Sequence, residues 1–129
     1  MKLAAIDIGS NAARLLITDV SLDKKKQPEF IKSNLVRVPL RLGFDVFETG
    51  EISPERAARF VETMKAYKHL LNAYDIKHLK ACATSAMRDA KNSATILKQV
   101  KEETGIEIEI ISGDLEAALI YETHIAEGL

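Results

Sequence analysis

An α/β fold follows from three features of the sequence. Short apolar segments with strand-like patterning alternate with longer ones whose apolar residues recur at helical spacing. Turn-forming residues punctuate the junctions. The order along the chain reads as three strands, helix, strand, helix, strand, helix, the pattern of a mixed sheet with flanking helices.

Leu3 to Ile8 reads as a short buried strand and Arg14 to Val20 as a second. Gly9-Ser10-Asn11 between them is a turn signal of the kind that joins antiparallel strands. The polar stretch Leu22 to Pro28, with Lys24, Lys25 and Lys26, predicts a solvated hairpin loop, and Glu29 to Leu40 a third strand. Arg41 to Ile52 holds two glycines and little periodicity, which predicts a loop. Ser53-Pro54-Glu55 is a strong helix opening: a capping hydroxyl, proline in the first turn, then an acid on the positive end of the dipole. Ala57, Phe60, Val61, Met64, Tyr67, Leu71 and Tyr74 follow at helical spacing, as a core-facing stripe. Ile76 to Ala83 predicts a strand. Asn92 caps a helix that stops at Gly105, and Ile106 to Ile111 predicts a strand near an edge. Ser112-Gly113-Asp114 opens a last helix. The ending Glu127-Gly128-Leu129 is a helix stop with nothing after it, which reads as a piece cut from something longer.

Composition narrows the function. With 129 residues, 47% hydrophobic and 29% charged, the chain suits one domain, 1–129, with a packed core. A formal charge of -1 excludes a domain that holds nucleic acid by bulk positive field alone. No apolar run reaches the roughly 20 residues of a membrane span, and the start Met1-Lys2-Leu3-Ala4-Ala5-Ile6-Asp7 meets an acid too early for a signal peptide. Cys82 stands alone, so no internal disulfide forms; it reads as a buried small hydrophobe in a cytoplasmic protein. Residues 101–129 carry one lysine against eight acids, leaving +6 for residues 1–100. The plain reading is a solvated acidic helix face; the sharper one sets acids near a metal and a basic body near a polyanion. His69, His78 and His124 have no metal-ligand spacing.

Three strand ends carry groups suited to an anion. Asp7-Ile8-Gly9-Ser10-Asn11 sets a carboxylate and a turn of N–H donors at one point, a combination that can hold phosphate oxygens and Mg²⁺. Thr84-Ser85-Ala86-Met87-Arg88 offers two hydroxyls and a guanidinium, although a helix cap with a surface arginine looks the same in sequence. Ser112-Gly113-Asp114-Leu115-Glu116 ends in an acid that an ordinary first helical turn also favours. Ligands of open α/β sheets gather at the carboxyl ends of strands, so the three together say more than each apart.

Taken in order, Asp7-Ile8-Gly9-Ser10-Asn11 with Arg14-Leu15, Arg41-Leu42-Gly43, Ala83 to Asn92, and Ile110-Ile111-Ser112-Gly113-Asp114-Leu115-Glu116-Ala117 resemble the successive motifs of the Ppx/GppA phosphatases. That family comprises exopolyphosphatases and guanosine pentaphosphate phosphohydrolases. The resemblance implies a ribonuclease H-like (actin-like ATPase) fold with a mixed five-stranded sheet. It implies that Asp7 helps position Mg²⁺, that Gly9, Ser10 and Asn11 hold phosphate, and that Arg88 binds substrate phosphate. It gives Glu116 the catalytic place, orienting or deprotonating the attacking water. Polyphosphate or guanosine pentaphosphate is the implied substrate, with no nucleic-acid or membrane partner. Two positions depart from the family pattern: Ala12 where a serine is usual, and Leu115 for the first of two paired acids. The second phosphate turn of the family would follow Ala126 and is not in this sequence, so the expectation is an active parent and an inactive 129-residue piece. An exposed edge at such a cut could promote a homodimer. Two other readings stay open: an actin-like-fold kinase for a small molecule, and a module that binds polyphosphate or guanosine tetraphosphate without turnover.

Overall fold

The computed structural model describes residues 2–22 and 24–111. Three antiparallel strands come first: β1 (Lys2–Ile8), β2 (Ala13–Leu22) and β3 (Pro28–Val38). Two helices follow, α1 (Leu42–Thr49) and α2 (Pro54–Ala73), then β4 (His78–Ala83). The chain continues through α3 (Ser85–Asp89), α4 (Ser93–Thr104) and β5 (Ile108–Ile110). The sheet order is β3-β2-β1-β4-β5. β1 pairs antiparallel with β2 and parallel with β4, and β4 pairs parallel with β5. This is the mixed five-stranded sheet with flanking helices that the sequence predicts.

Strand alternation decides which side chains form the core. Ala4, Ile6 and Ile8 of β1 are buried, and they join Leu15 and Ile17 of β2 and Ala81 and Ala83 of β4. Helix α2 lays Phe60, Val61, Met64, Tyr67 and Leu71 on this layer, and α4 adds Ile96 and Val100. The stripe predicted along residues 57–74 therefore packs as core, with Phe60 and Met64 fully buried. The Tyr67 hydroxyl donates to the Val36 carbonyl at 3.0 Å and ties α2 to β3. Burial pushes the Tyr67 phenol up to about 12.

Local chemistry explains most helix ends. Ser53 accepts the Arg56 N–H at 3.3 Å as the α2 cap, with Pro54 in the first turn. Gly105 ends α4 with φ 78°, a left-handed conformation that favours glycine. Asn92 stands at the head of α4 but makes no capping bond; its amide is used elsewhere.

A second expectation also fails. Residues 42–49 form α1 rather than loop. The helix has only eight residues and no side-chain cap, and Arg41 enters it at φ 53°. Its apolar residues also lack a clean stripe, because Leu42 and Val46 are buried while Phe44 and Phe47 point outward. Tertiary contacts replace the missing local signals. Among the described residues, no helix is long and apolar enough to cross a membrane.

Candidate phosphate site

The three parallel strands end side by side. Ile8 pairs with Ala83, and Ala83 with Ile110. The ladder runs one step further, from the Thr84 N–H to the Ile8 carbonyl at 3.0 Å and from the Ile111 N–H to the Ala83 carbonyl at 2.9 Å. The three departing segments thus share one rim, the place where open α/β sheets take ligands.

The first segment is the β1–β2 turn. Gly9 N–H donates to the Ala12 carbonyl at 3.0 Å and closes a tight corner with Ser10 and Asn11 at its tip. Both tip carbonyls are bound back into the protein: Ser10 O accepts from Gly43 N–H at 2.9 Å, and Asn11 O accepts from Arg41 N–H at 2.8 Å. Among the described residues, the N–H groups of Ser10 and Asn11 make no hydrogen bond to a backbone carbonyl. A turn whose carbonyls are engaged and whose amides are available suits an anion.

From the second segment, Ser85 at the start of α3 meets Ser10, Oγ to Oγ at 2.7 Å. Thr84 is buried, with its hydroxyl 3.4 Å from the Ile8 carbonyl. Arg88 leans across to the third segment, donating from Nη1 to the Ile111 carbonyl at 3.3 Å, with Nε 3.8 Å from Asp89 Oδ1. The side chain is 44% exposed. That partial tether sets its direction and leaves other donors of the guanidinium fork for an anion.

Asp7 lies one residue inside the end of β1, opposite Arg14 on one side and Cys82 on the other. It alternates away from the core residues Ile6 and Ile8 and is half-buried. Cys82 is buried as expected; desolvation pushes its thiol up, Lys80 works against that, and Glu109 and Asp7 add to it. Among the described residues, no cluster of three or more His, Cys, Asp or Glu could hold a metal alone. Mg²⁺ keeps several waters and is commonly bound by one or two carboxylates plus substrate phosphates, so one strand-end carboxylate beside a phosphate turn fits it. Glu116 and the rest of Ser112-Gly113-Asp114-Leu115-Glu116 lie outside the described residues, as does the predicted last helix.

The structure thus joins Ser10, at the tip of the Gly9 to Asn11 turn, to Ser85 directly, and brings Asp7 and Arg88 to the same rim. Gly43 packs against this turn and is not among the residues the sequence points to as binding phosphate. The motif Arg41-Leu42-Gly43 is visible in the sequence, but its contacts with the turn reach residues thirty or more positions away.

Lys24, Lys25 and Lys26 lie elsewhere. They occupy the β2–β3 turn, and β2 runs from the phosphate turn to the opposite end of the sheet. At about 3.3 Å per residue the separation is roughly 30 Å. A groove of about 650 Å³ lined by Lys77, Lys80, Glu107 and Glu109 has opposing charges and runs along β4 and β5.

A sheet of this order, with an amide-bearing turn after its first strand, is the ribonuclease H-like arrangement of the actin-like group. The model of the Ppx/GppA phosphatase family matches residues 20–127, and the chain belongs to that family. The chain is 31% identical over 121 residues to Exopolyphosphatase 1 of Mycobacterium tuberculosis, covering 94% of this chain and 34% of the relative. It is 37% identical over 119 residues to a bifunctional 3-dehydroquinate synthase/phosphatase of Fusobacterium nucleatum, covering 88% of this chain and 18% of that protein. The crystal structure of the Aquifex aeolicus Ppx/GppA family member superposes with a TM-score of 0.80 at 34% identity, over 90% of this chain and 36% of that one. An exopolyphosphatase from Cytophaga hutchinsonii gives a TM-score of 0.80 at 29% identity, over 92% and 36%. The chain therefore spans about a third of the length of the exopolyphosphatases it matches.

Proposed function

We propose that this chain supplies one wall of a phosphoanhydride hydrolase site, in a cytoplasmic protein that releases terminal orthophosphate from inorganic polyphosphate or guanosine pentaphosphate. The observation that carries the reading is the turn at Ser10 and Asn11: its carbonyls are bonded inward, and it shares a rim with Ser85 and Arg88. Membership of a phosphatase family supports the same chemistry.

Each residue then has a physical task. The N–H groups of Ser10 and Asn11 hold oxygens of the terminal phosphate, with Gly9 shaping the turn. Arg88 offers a planar fork to a second edge of that phosphate and neutralises charge that grows as the bond to the leaving group breaks. Glu116 orients the attacking water in line with that bond, or takes its proton. Asp7 would hold Mg²⁺, which supplies charge neutralisation of the phosphate oxygens when bound. Phosphoryl transfer depends on positioning more than on covalent chemistry, and a chain covering a third of its relatives' length provides part of that positioning. Turnover is accordingly expected from the protein of full family length, and little from residues 1–129 alone.

The test is phosphate release from polyphosphate by the full-length protein and by its Glu116→Gln variant. A hydrolase loses about 10²- to 10⁴-fold in rate on that substitution while it still binds substrate. A module that only binds these ligands, the reading that Ala12 and Leu115 favour, shows no wild-type turnover to lose. Strong release by residues 1–129 alone would contradict the division of the site between two parts.

A further inference from the structure

Between β3 and α2 the chain folds into α1, and α1 is fastened at both ends. In its first turn Asp45 is buried, with only 9% of its surface exposed. Its Oδ2 accepts the Ser53 N–H at 3.0 Å, and its Oδ1 accepts from the Arg56 guanidinium. Burial acts to raise the Asp45 pKa, but the Ser53 hydrogen bonds and the Arg56 charge outweigh it and hold the carboxyl below its usual range. Arg56 also stacks over the Phe44 ring, 5.0 Å from its centre. Asn92 grips the same segment from the head of α4: its Oδ1 accepts the Ile52 N–H at 3.0 Å, and its Nδ2 donates to the Ile52 carbonyl at 2.8 Å. Lys91 N–H adds a bond to the Gly50 carbonyl at 2.9 Å.

The near end of α1 presses on the phosphate turn. Arg41 and Gly43 donate the two N–H groups that turn the Asn11 and Ser10 carbonyls inward. A Cβ on Gly43 would lie 2.8 Å from Ser10 Cβ and 3.3 Å from the Ser10 carbonyl oxygen, so only glycine permits this approach. Without these donors the two carbonyls would be free to rotate outward, where they would repel a phosphate oxygen.

We propose that residues 41–53, anchored by Asn92, form a strap that sets the phosphate turn, with Gly43, Asp45 and Asn92 as positioning residues that orient the Ser10 and Asn11 amides without touching the anion. The inference rests on the phosphate reading above and extends it to residues some distance from the rim. The anchoring bonds are buried or half-buried and survive competition with water better than exposed ones. The strap therefore holds the turn in its binding form before the anion arrives.

The test uses the ¹⁵N-labelled chain, in MgCl₂, titrated with tripolyphosphate and followed by amide shifts. In the wild type the Ser10 and Asn11 signals move on titration. Asp45→Asn, Asn92→Ala and Gly43→Ala each weaken binding at least tenfold and displace the free-state signals of Ser10 and Asn11, while strand amides such as those of Ala4 and Ile17 keep their positions. Equal affinity in variants that fold overturns the strap. Unmoved Ser10 and Asn11 signals in the wild type overturn the phosphate reading itself, a separate result that takes the strap's role with it. Hydrogen exchange on the free wild-type chain covers a variant that does not fold: the Arg41 and Gly43 amides must exchange more slowly than those of Ser10 and Asn11, and exchange at an unprotected rate overturns the proposal.

Discussion

The two ends of the sheet both hold groups that suit an anion, and they are built in different ways. At the carboxyl ends of β1, β4 and β5 the groups are mostly neutral: turn amides, the Ser10 and Ser85 hydroxyls, and one partly tethered arginine. At the other end three lysines, Lys24 to Lys26, stand exposed on a hairpin tip. Positive charge is denser at the second end, yet organisation is found at the first. There, the Ser10 and Asn11 carbonyls are bonded inward, and on the proposed reading the donors are fixed before the ligand arrives. Exposed lysines must give up hydration and side-chain freedom to bind, and salt screens them. On the proposed reading, recognition of a terminal phosphate follows from packing around the turn more than from net charge.

The comparison breaks most readily at Arg88. Arg88→Ala in the full-length protein should lower kcat/KM for polyphosphate by about 10²- to 10³-fold, on the scale of a lost charge-stabilising donor. Arg88→Lys should restore only part of this, because a point charge cannot replace the planar fork. A loss under threefold for Arg88→Ala would move the charge stabilisation to another residue.

A smaller effect tests the core behind the organised end. Tyr67 bonds to Val36, whose register partner is Leu15 near the phosphate turn. Its phenol is raised to about 12 in the fold, against an ordinary value near 10. The folded state thus holds this proton more tightly than the unfolded chain does. The Tyr67 contribution is complete below about pH 10 and is lost as pH climbs towards 12, on the order of 2 kcal/mol in all. Denaturant midpoints measured from pH 9 to 12 should fall in that window, and Tyr67→Phe should flatten the fall. An unchanged slope in the variant would assign the alkaline loss to other groups.

The smallest effect belongs to the lysine tip. Replacing Lys24, Lys25 and Lys26 together by alanine should change tripolyphosphate affinity by less than about twofold at 0.15 M salt, where the Debye length of about 8 Å is far short of the gap of roughly 30 Å. A tenfold loss, read by calorimetric titration, would show that the two ends act on one ligand.

Much of the fold was legible in the sequence because local signals and tertiary demands agree. Ser53 and Pro54 open α2, Gly105 closes α4, and the alternation in β1 selects Ile6 and Ile8 for the core. Helix α1 was not legible because its support is remote: Asp45 reaches Ser53 and Arg56, and Asn92 reaches Ile52 across forty positions. The position of Asn92 suggests a cap, but its amide completes the strap instead. The site divides in the same way. Asp7, Gly9, Ser10, Asn11, Ser85 and Arg88 stand out at strand ends, whereas Gly43 gains meaning only from its contact with Ser10.

The central claim, that one rim of the sheet takes both anion and cation, is tested most directly with Mn²⁺ in place of Mg²⁺. Manganese prefers the same oxygen ligands and broadens nearby amide signals. Added with tripolyphosphate to the ¹⁵N-labelled chain, it should broaden Asp7 to Asn11 and Thr84 to Arg88 and leave Lys24 to Gln27 sharp. Broadening centred on Lys24 to Gln27, or spread evenly over the sheet, would contradict the account.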